Sequence, residues 1–520
     1  MTPGITWARG AAAARLALAA TSLLLLWACG GDSGREVPDL SSSGAYAGKC
    51  SPDNGLARDA NGNLRARYAN GTLEDERNWV RSYMNEAYLW YAEMPDPDPR
   101  LAAFNATPAQ SALGAWFDAL KTPALTPTGA RKDRYSFTLS TAQWNSMVQS
   151  GVVGGYGIEW VVASGTRPRE ARVAYVESGS PAAAAGISRG DRLLAVTVDG
   201  SRIDFVDTAV QAEIDQLNET LFSPRSGTQV TLTLRGSGGL ERDVPLVAGD
   251  VRTTPVKEAR VIDSGGDPIG YLLLNDFIVP AEGQLRDAIQ SFADAGVKDL
   301  VLDLRYNGGG YLYIASQLAW MVAPTRSTAG RTFERYVYSD KRQGANTRMQ
   351  FLGATTGQPG SSTTAGSSLP NLGLARAYVL AGKGTCSASE SVINALRGVD
   401  VEVVLLGDTT CGKPYGFTAR DNCGLSYFPV EFQGVNDKGF GDFADGFAPT
   451  CAVPDDLDAP LGSESEGLLS AALAYRAGAT CAAIAAAAQA KAAPRRVEPA
   501  ASPGGVIVRP PWRSNKFLAP

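Results

Sequence analysis

Residues 383–413 read KGTCSASESVINALRGVDVEVVLLGDTTCGK, and the fold follows from how this stretch is parsed. A β-type run, Ala375 to Leu380, leads in; Ala388 to Arg397 has helical patterning; a second β-type run, Val401 to Leu406, leads out to Gly412-Lys413. The pattern predicts a β-α-β unit. In such units the loops that leave the sheet gather at the carboxyl ends of the strands. Ser387 follows the first strand and Lys413 the second, so both are expected at one sheet edge, a hydroxyl at a helix N-terminus facing an amine.

Composition narrows the chemistry. The chain has no histidine among its 520 residues. That excludes a Ser-His-Asp triad, a Cys-His pair and an H-E-x-x-H zinc site. A serine nucleophile still needs a base. A lysine serves only when its amine is neutral, and burial favours the neutral form. The competing reading of Ser387-x-x-Glu390 is a capping box that starts the helix, and that of Lys413 is a solvated loop lysine.

Outward from this unit, Ile269–Asn275 and Leu300–Leu304 read as buried strands around a helix at Ala281–Ala295. The second strand runs into Asp303-Leu304-Arg305-Tyr306-Asn307-Gly308-Gly309-Gly310. The loop lacks the G-K-(S/T) of a phosphate cradle. Its amides suit an oxyanion instead. No cofactor is expected.

The region 151–256 is β-rich and holds Gly155-Tyr156-Gly157-Ile158, then Ser180-Pro181-Ala182 through Gly186-Ile187, then Gly190-Asp191. Together these resemble a PDZ domain, in which such a loop takes a peptide's terminal carboxylate and the peptide adds a strand. Gly186-Ile187-Ser188-Arg189-Gly190 matches G-x-S-x-G but lacks the strand-to-helix context of a nucleophile elbow. Before this region, Trp79, Val80, Tyr83, Met84, Ala87, Trp90 and Tyr91 recur at helical spacing, an aromatic stripe read as core.

At the beginning, Arg9 and Arg15 precede the apolar run Leu16–Trp27 and then Ala28-Cys29-Gly30. This resembles a bacterial lipoprotein signal with Cys29 as the lipidated residue, and so implies export and anchoring in the cell envelope, in the outer membrane of a Gram-negative bacterium. Six further cysteines remain: Cys50, Cys386, Cys411, Cys423, Cys451 and Cys481. In an exported chain an even number points to disulfides, whose pairing the sequence leaves open. No C-x-x-C pair is present, so no metal is expected. A net charge of −5 gives no reason to expect nucleic acid as a partner.

Taken in order, the Gly-rich loop, Ser387-Ala388-Ser389-Glu390, Gly412-Lys413 and the PDZ-like set resemble the S41 C-terminal processing (tail-specific) serine peptidases. The resemblance covers roughly residues 132–454. It implies Ser387 as nucleophile, Lys413 as general base, and the amides of Ala388 and Gly309 as oxyanion donors, with Gly155, Tyr156, Gly157 and Ile158 binding peptide. Substrates would be proteins or peptides. Where many members carry a Gln four residues after the lysine, this chain has Phe417. The alternative is a non-catalytic PDZ lipoprotein that acts as a peptide-binding adaptor. The expected architecture is multidomain α/β: signal 1–28, tether 29–72, N-terminal helical region 73–150, PDZ-like domain 151–256, protease core 257–455, helical segment 456–493 and unstructured tail 494–520.

Overall fold

The structure, a computed structural model, describes residues 42–222, 224–264, 266–491 and the backbone of 516–518. Cys29 and the expected signal lie outside the described residues. Among the described residues no helix is long and apolar enough to cross a membrane.

Two helices come first, α1 (Leu73–Ala87) and α2 (Ala109–Ala119). Thr72 caps α1 and three acidic residues fill its first turn, where they suit the positive end of the helix dipole. The aromatic stripe is core: Trp79, Val80, Tyr83 and Met84 are buried with Trp116, Phe117 and Tyr427.

A six-stranded antiparallel sheet follows. Its main strands are β1 (Ile158–Ser164), β2 (Glu170–Val176), β3 (Arg192–Val198), β4 (Gln229–Arg235) and β5 (Glu241–Val247), in the order β5-β4-β3-β2-β1, with Ser201–Asp204 paired to β3. Helix α3 (Gln211–Phe222) closes one face through Ile214, Leu217 and Leu221. Strand β1 lies at the edge of this sheet.

A second six-stranded sheet comprises β6 (Val256–Ser264), β7 (Asp267–Leu274), β8 (Asp299–Asp303), β10 (Arg376–Ala381), β11 (Glu402–Gly407) and β12 (Cys451–Ala452), in that order. Between β8 and β10 in sequence comes a short strand outside this sheet, β9 (Gly309–Tyr311). Strands β6 and β7 form a hairpin; from β7 onward every pairing is parallel. Parallel strands with both faces covered read as continuous apolar runs, as β8 does: Asp-Leu-Val-Leu-Asp, all buried. Alternation splits the runs between two cores. Leu272, Leu300, Leu302, Val379 and Leu405 meet the helices α4 (Ala281–Asp294), α5 (Leu312–Val322) and α6 (Ala388–Gly398). Tyr271, Val301, Tyr378, Leu380 and Leu406 face α7 (Gly467–Arg476). The molecule is therefore a multidomain α/β protein with a helical N-terminal region.

The cysteines pair as Cys50–Cys423, Cys386–Cys411 and Cys451–Cys481. One expectation is corrected. Within 494–520, taken as unstructured from its composition, Lys516–Leu518 forms a strand, β13, parallel to β9. Main-chain hydrogen bonding to a neighbouring edge overrides local composition there.

Candidate active site

Ser387 heads α6 at the carboxyl end of β10, and Lys413 follows β11. Both are fully buried. Ser387 holds φ 62° and ψ −116°, a backbone region that non-glycine residues rarely occupy and that concentrates at functional sites. Its Oγ has no hydrogen-bond partner among the described residues. Of the expected capping box, then, the half made as a hydrogen bond is the carboxylate's: Glu390 Oε2 accepts the Ser387 N–H at 2.9 Å.

Glu390 does more than cap. The same Oε2 accepts the Lys413 N–H at 2.8 Å, while Oε1 accepts from the Gly412 N–H at 2.8 Å and from Thr410 Oγ1 at 2.5 Å. Two bonds on one oxygen hold the backbone nitrogens of Ser387 and Lys413 within about 5.7 Å of each other. Burial raises the Glu390 pKa, and the hydrogen bonds from Thr410, Lys413, Ser387 and Gly412 oppose that rise. The Cys386–Cys411 disulfide joins the same two loops covalently. Because both thiols are bonded to each other, Cys386, Glu390 and Cys411 do not form a metal site despite their proximity.

The lysine is held from a third side by the segment before the β-rich region. Tyr135 Oη donates to the Gly412 carbonyl at 2.5 Å, and the Arg134 guanidinium donates to the carbonyls of Cys411 and Ala444. Gly412 has φ 81°, and a Cβ there would lie 2.3 Å from the Ala444 oxygen, so only glycine fits. Lys413 Nζ sits 4.1 Å from the centre of the Phe417 ring and 5.8 Å from that of Tyr135. Burial pushes the Lys413 amine well below the ordinary lysine range, against the partial pull of Asp133 and Glu390. An amine shifted this way can be neutral near physiological pH. The roles of Tyr135 and of Glu390 as a bridge are long-range and left no mark in the local sequence pattern.

The glycine loop lies beside the serine. The Cys386 N–H donates to the Asn307 carbonyl, as does Ser389 Oγ. This places Ser389, the second serine of the motif, in a structural bond. Arg305 is buried and paired with Asp303 and Glu466, which anchors the loop's beginning. Expectation and structure diverge at Gly309. Its N–H donates to Asn307 Oδ1 at 2.8 Å in a local turn, so this amide is already engaged.

Gly155, Gly157 and Ile158 line an open cleft together with Asn275, Asp276, Tyr306 and Gly308. Tyr156 does not face it; its ring is buried in the β-rich core. The cleft reaches the glycine loop but is not lined by Ser387 or Lys413. The turn Gly186–Gly190, set aside above as a nucleophile elbow, docks on the same loop: Arg189 donates to Tyr306 Oη at 2.7 Å and pairs with Asp455 at 3.0 Å.

Comparison with known proteins gives matches over parts of the chain. Residues 268–422 match the model of Peptidase family S41, and residues 75–137 match that of the Peptidase S41 N-terminal domain. The two matches fall on the sheet-and-helix region that carries Ser387 and Lys413 and on the helical region before it. A Carboxyl-terminal-processing protease of Picosynechococcus is 27% identical over 287 residues, covering 54% of this chain and 60% of the relative. Carboxyl-terminal-processing peptidase 3, chloroplastic, of Arabidopsis thaliana is 28% identical over 249 residues, covering 45% and 41%. The chain thus spans 60% or less of the length of these curated relatives. Among solved structures, an S41 protease from Bacteroides fragilis superposes with a TM-score of 0.55 at 26% identity, covering 77% of this chain and 97% of that one.

Proposed function

We propose that this chain is a serine endopeptidase with a Ser387–Lys413 dyad. The observation that carries the reading is the double tether, Glu390 and the Cys386–Cys411 bridge, between a serine whose hydroxyl has no partner among the described residues and a lysine whose amine burial shifts toward its neutral form. In the reaction, Lys413 Nζ takes the proton of Ser387 Oγ as oxygen attacks the peptide carbonyl. The tetrahedral oxyanion is stabilised by backbone amides. Ala388 supplies one. With the Gly309 N–H engaged by Asn307, Gly308, which borders the cleft, is the better second donor. The lysine returns the proton to the leaving amine, and water releases the acyl-enzyme. Ser387 Oγ makes no hydrogen bond to Lys413 here, and catalytic hydrogen bonds commonly tighten when substrate binds.

The β-rich region is read as a PDZ module that binds peptide ends through Gly155, Gly157 and Ile158, with the edge strand β1 free to take a peptide strand. Lipidation of Cys29 would anchor the enzyme in the envelope. The test uses an unfolded protein substrate at alkaline pH. Ser387→Ala and Lys413→Ala should each lose at least about 100-fold in kcat/KM. Full activity in either variant refutes the dyad. Labelling of the wild-type chain at Ser387 by a fluorophosphonate separates the enzyme from the non-catalytic adaptor, which would stay unlabelled.

A further inference from the structure

Strand β9 begins two residues after Asn307 and has two edges. On one, Phe277 N–H donates to the Gly309 carbonyl at 3.0 Å and Tyr311 N–H to the Phe277 carbonyl at 2.7 Å. Gly310 is moulded to this contact: at φ 142°, a Cβ would lie 2.3 Å from the Phe277 oxygen. Strand alternation therefore turns the Gly310 N–H and C=O to the opposite edge. There β13 runs parallel, with Gly309 opposite Lys516, Gly310 opposite Phe517 and Tyr311 opposite Leu518. In this register the Leu518 N–H is directed at the Gly310 carbonyl and the Gly310 N–H at the Lys516 carbonyl. The same segment contacts α6, headed by Ser387, and Tyr415–Gly416, two residues beyond Lys413. It thus lies close to the helix that Ser387 heads and to the chain just beyond Lys413, beside the glycine loop. Among the described residues no other strand pairs with that edge of β9.

We propose that the outer edge of β9 is the subsite that holds a substrate's backbone as an added parallel strand, and that residues 516–518 occupy it in the resting chain as a tethered competitor. A strand edge beside a nucleophile offers main-chain hydrogen bonds that accept many sequences. The 24 residues 492–515 span up to about 80 Å when extended, so the tether reaches easily. A tethered strand acts at an effective concentration of about millimolar, which blocks weakly bound substrates and yields to tight or multivalent ones. The occupancy itself is independent of the chemistry, whereas its effect on turnover rests on the peptidase reading above.

The test uses the full chain with Ser387→Ala and a fluorescent peptide spanning residues 512–520. A second chain also carries Lys516→Pro and Leu518→Pro, which remove the two segment N–H donors that face β9. The peptide should bind the proline-bearing chain at least about 10-fold more tightly, as read by anisotropy. Hydrogen exchange at Gly310–Tyr311 should rise in that chain and fall again as peptide is added. With Ser387 restored, the two proline substitutions should raise kcat/KM on an unrelated peptide by a similar factor. Equal affinity in both chains, or no binding to either, overturns the proposal. Altered affinity without hydrolysis by any chain upholds the occupancy and refutes the peptidase reading instead.

Discussion

Lys413 is the residue where function and stability pull apart. Its amine is fully buried, and burial depresses its pKa well below the usual value. The sign follows from proton counting. Between the folded pKa and the ordinary 10.5, the unfolded chain binds a proton that the folded chain lacks. Stability therefore rises with pH across that window and is lower at neutral pH than the packing alone would give. Lys413→Met should raise stability at pH 7 by about 1–3 kcal/mol and abolish hydrolysis. Thermal melts at pH 7 and pH 10 check this, because the gain must shrink at the higher pH. Phe417 belongs to the same account. In place of a glutamine amide, an aromatic face meets the amine at 4.1 Å, a contact that adds to the bonds on the lysine's backbone.

Among the elements, the strand Thr332–Tyr338 carries a buried carboxyl, Glu334. Glu334 accepts from Ser391 Oγ at 3.3 Å, and its pKa is pushed up to about 8 by burial. Between 4.5 and about 8 the folded chain holds a proton that the unfolded chain has lost, so stability falls as pH rises through this range. Glu334→Gln should be neutral near pH 5 and stabilising by about 1–3 kcal/mol near pH 9, as read by urea titration at the two pH values. Elements also divide what sequence could and could not tell. The β-α-β unit around Ser387 was legible because apolar runs, a helical period and glycine turns all agree there. Glu390 was legible only as a cap, since its bonds to Gly412 and Lys413 depend on two loops meeting. The strand at 516–518 was hidden because β13 is made by a partner edge and not by its own composition.

At the scale of the whole molecule, the β-rich region and the mostly parallel sheet are joined through charged side chains. Arg189 bonds Tyr306 and Asp455, Lys257 pairs with Glu177, and Arg172 with Asp458. Tyr306 lies in the glycine loop, so the junction adjoins the chemistry. Arg189→Met should cost about 2–4 kcal/mol, because it leaves Asp455 partly unpaired in a largely buried setting. Hydrogen exchange should quicken in residues 188–198 and 455–459 together, whereas a purely local role would quicken only the first. The disulfide between Cys386 and Cys411 has a further consequence. Thiols in the cytoplasm are kept reduced, so a newly made chain there lacks the covalent half of the clamp on its two reactive loops. The two loops are joined covalently only where oxidants are available, so a peptidase of the kind proposed above would be fully clamped only after it leaves the compartment of its synthesis.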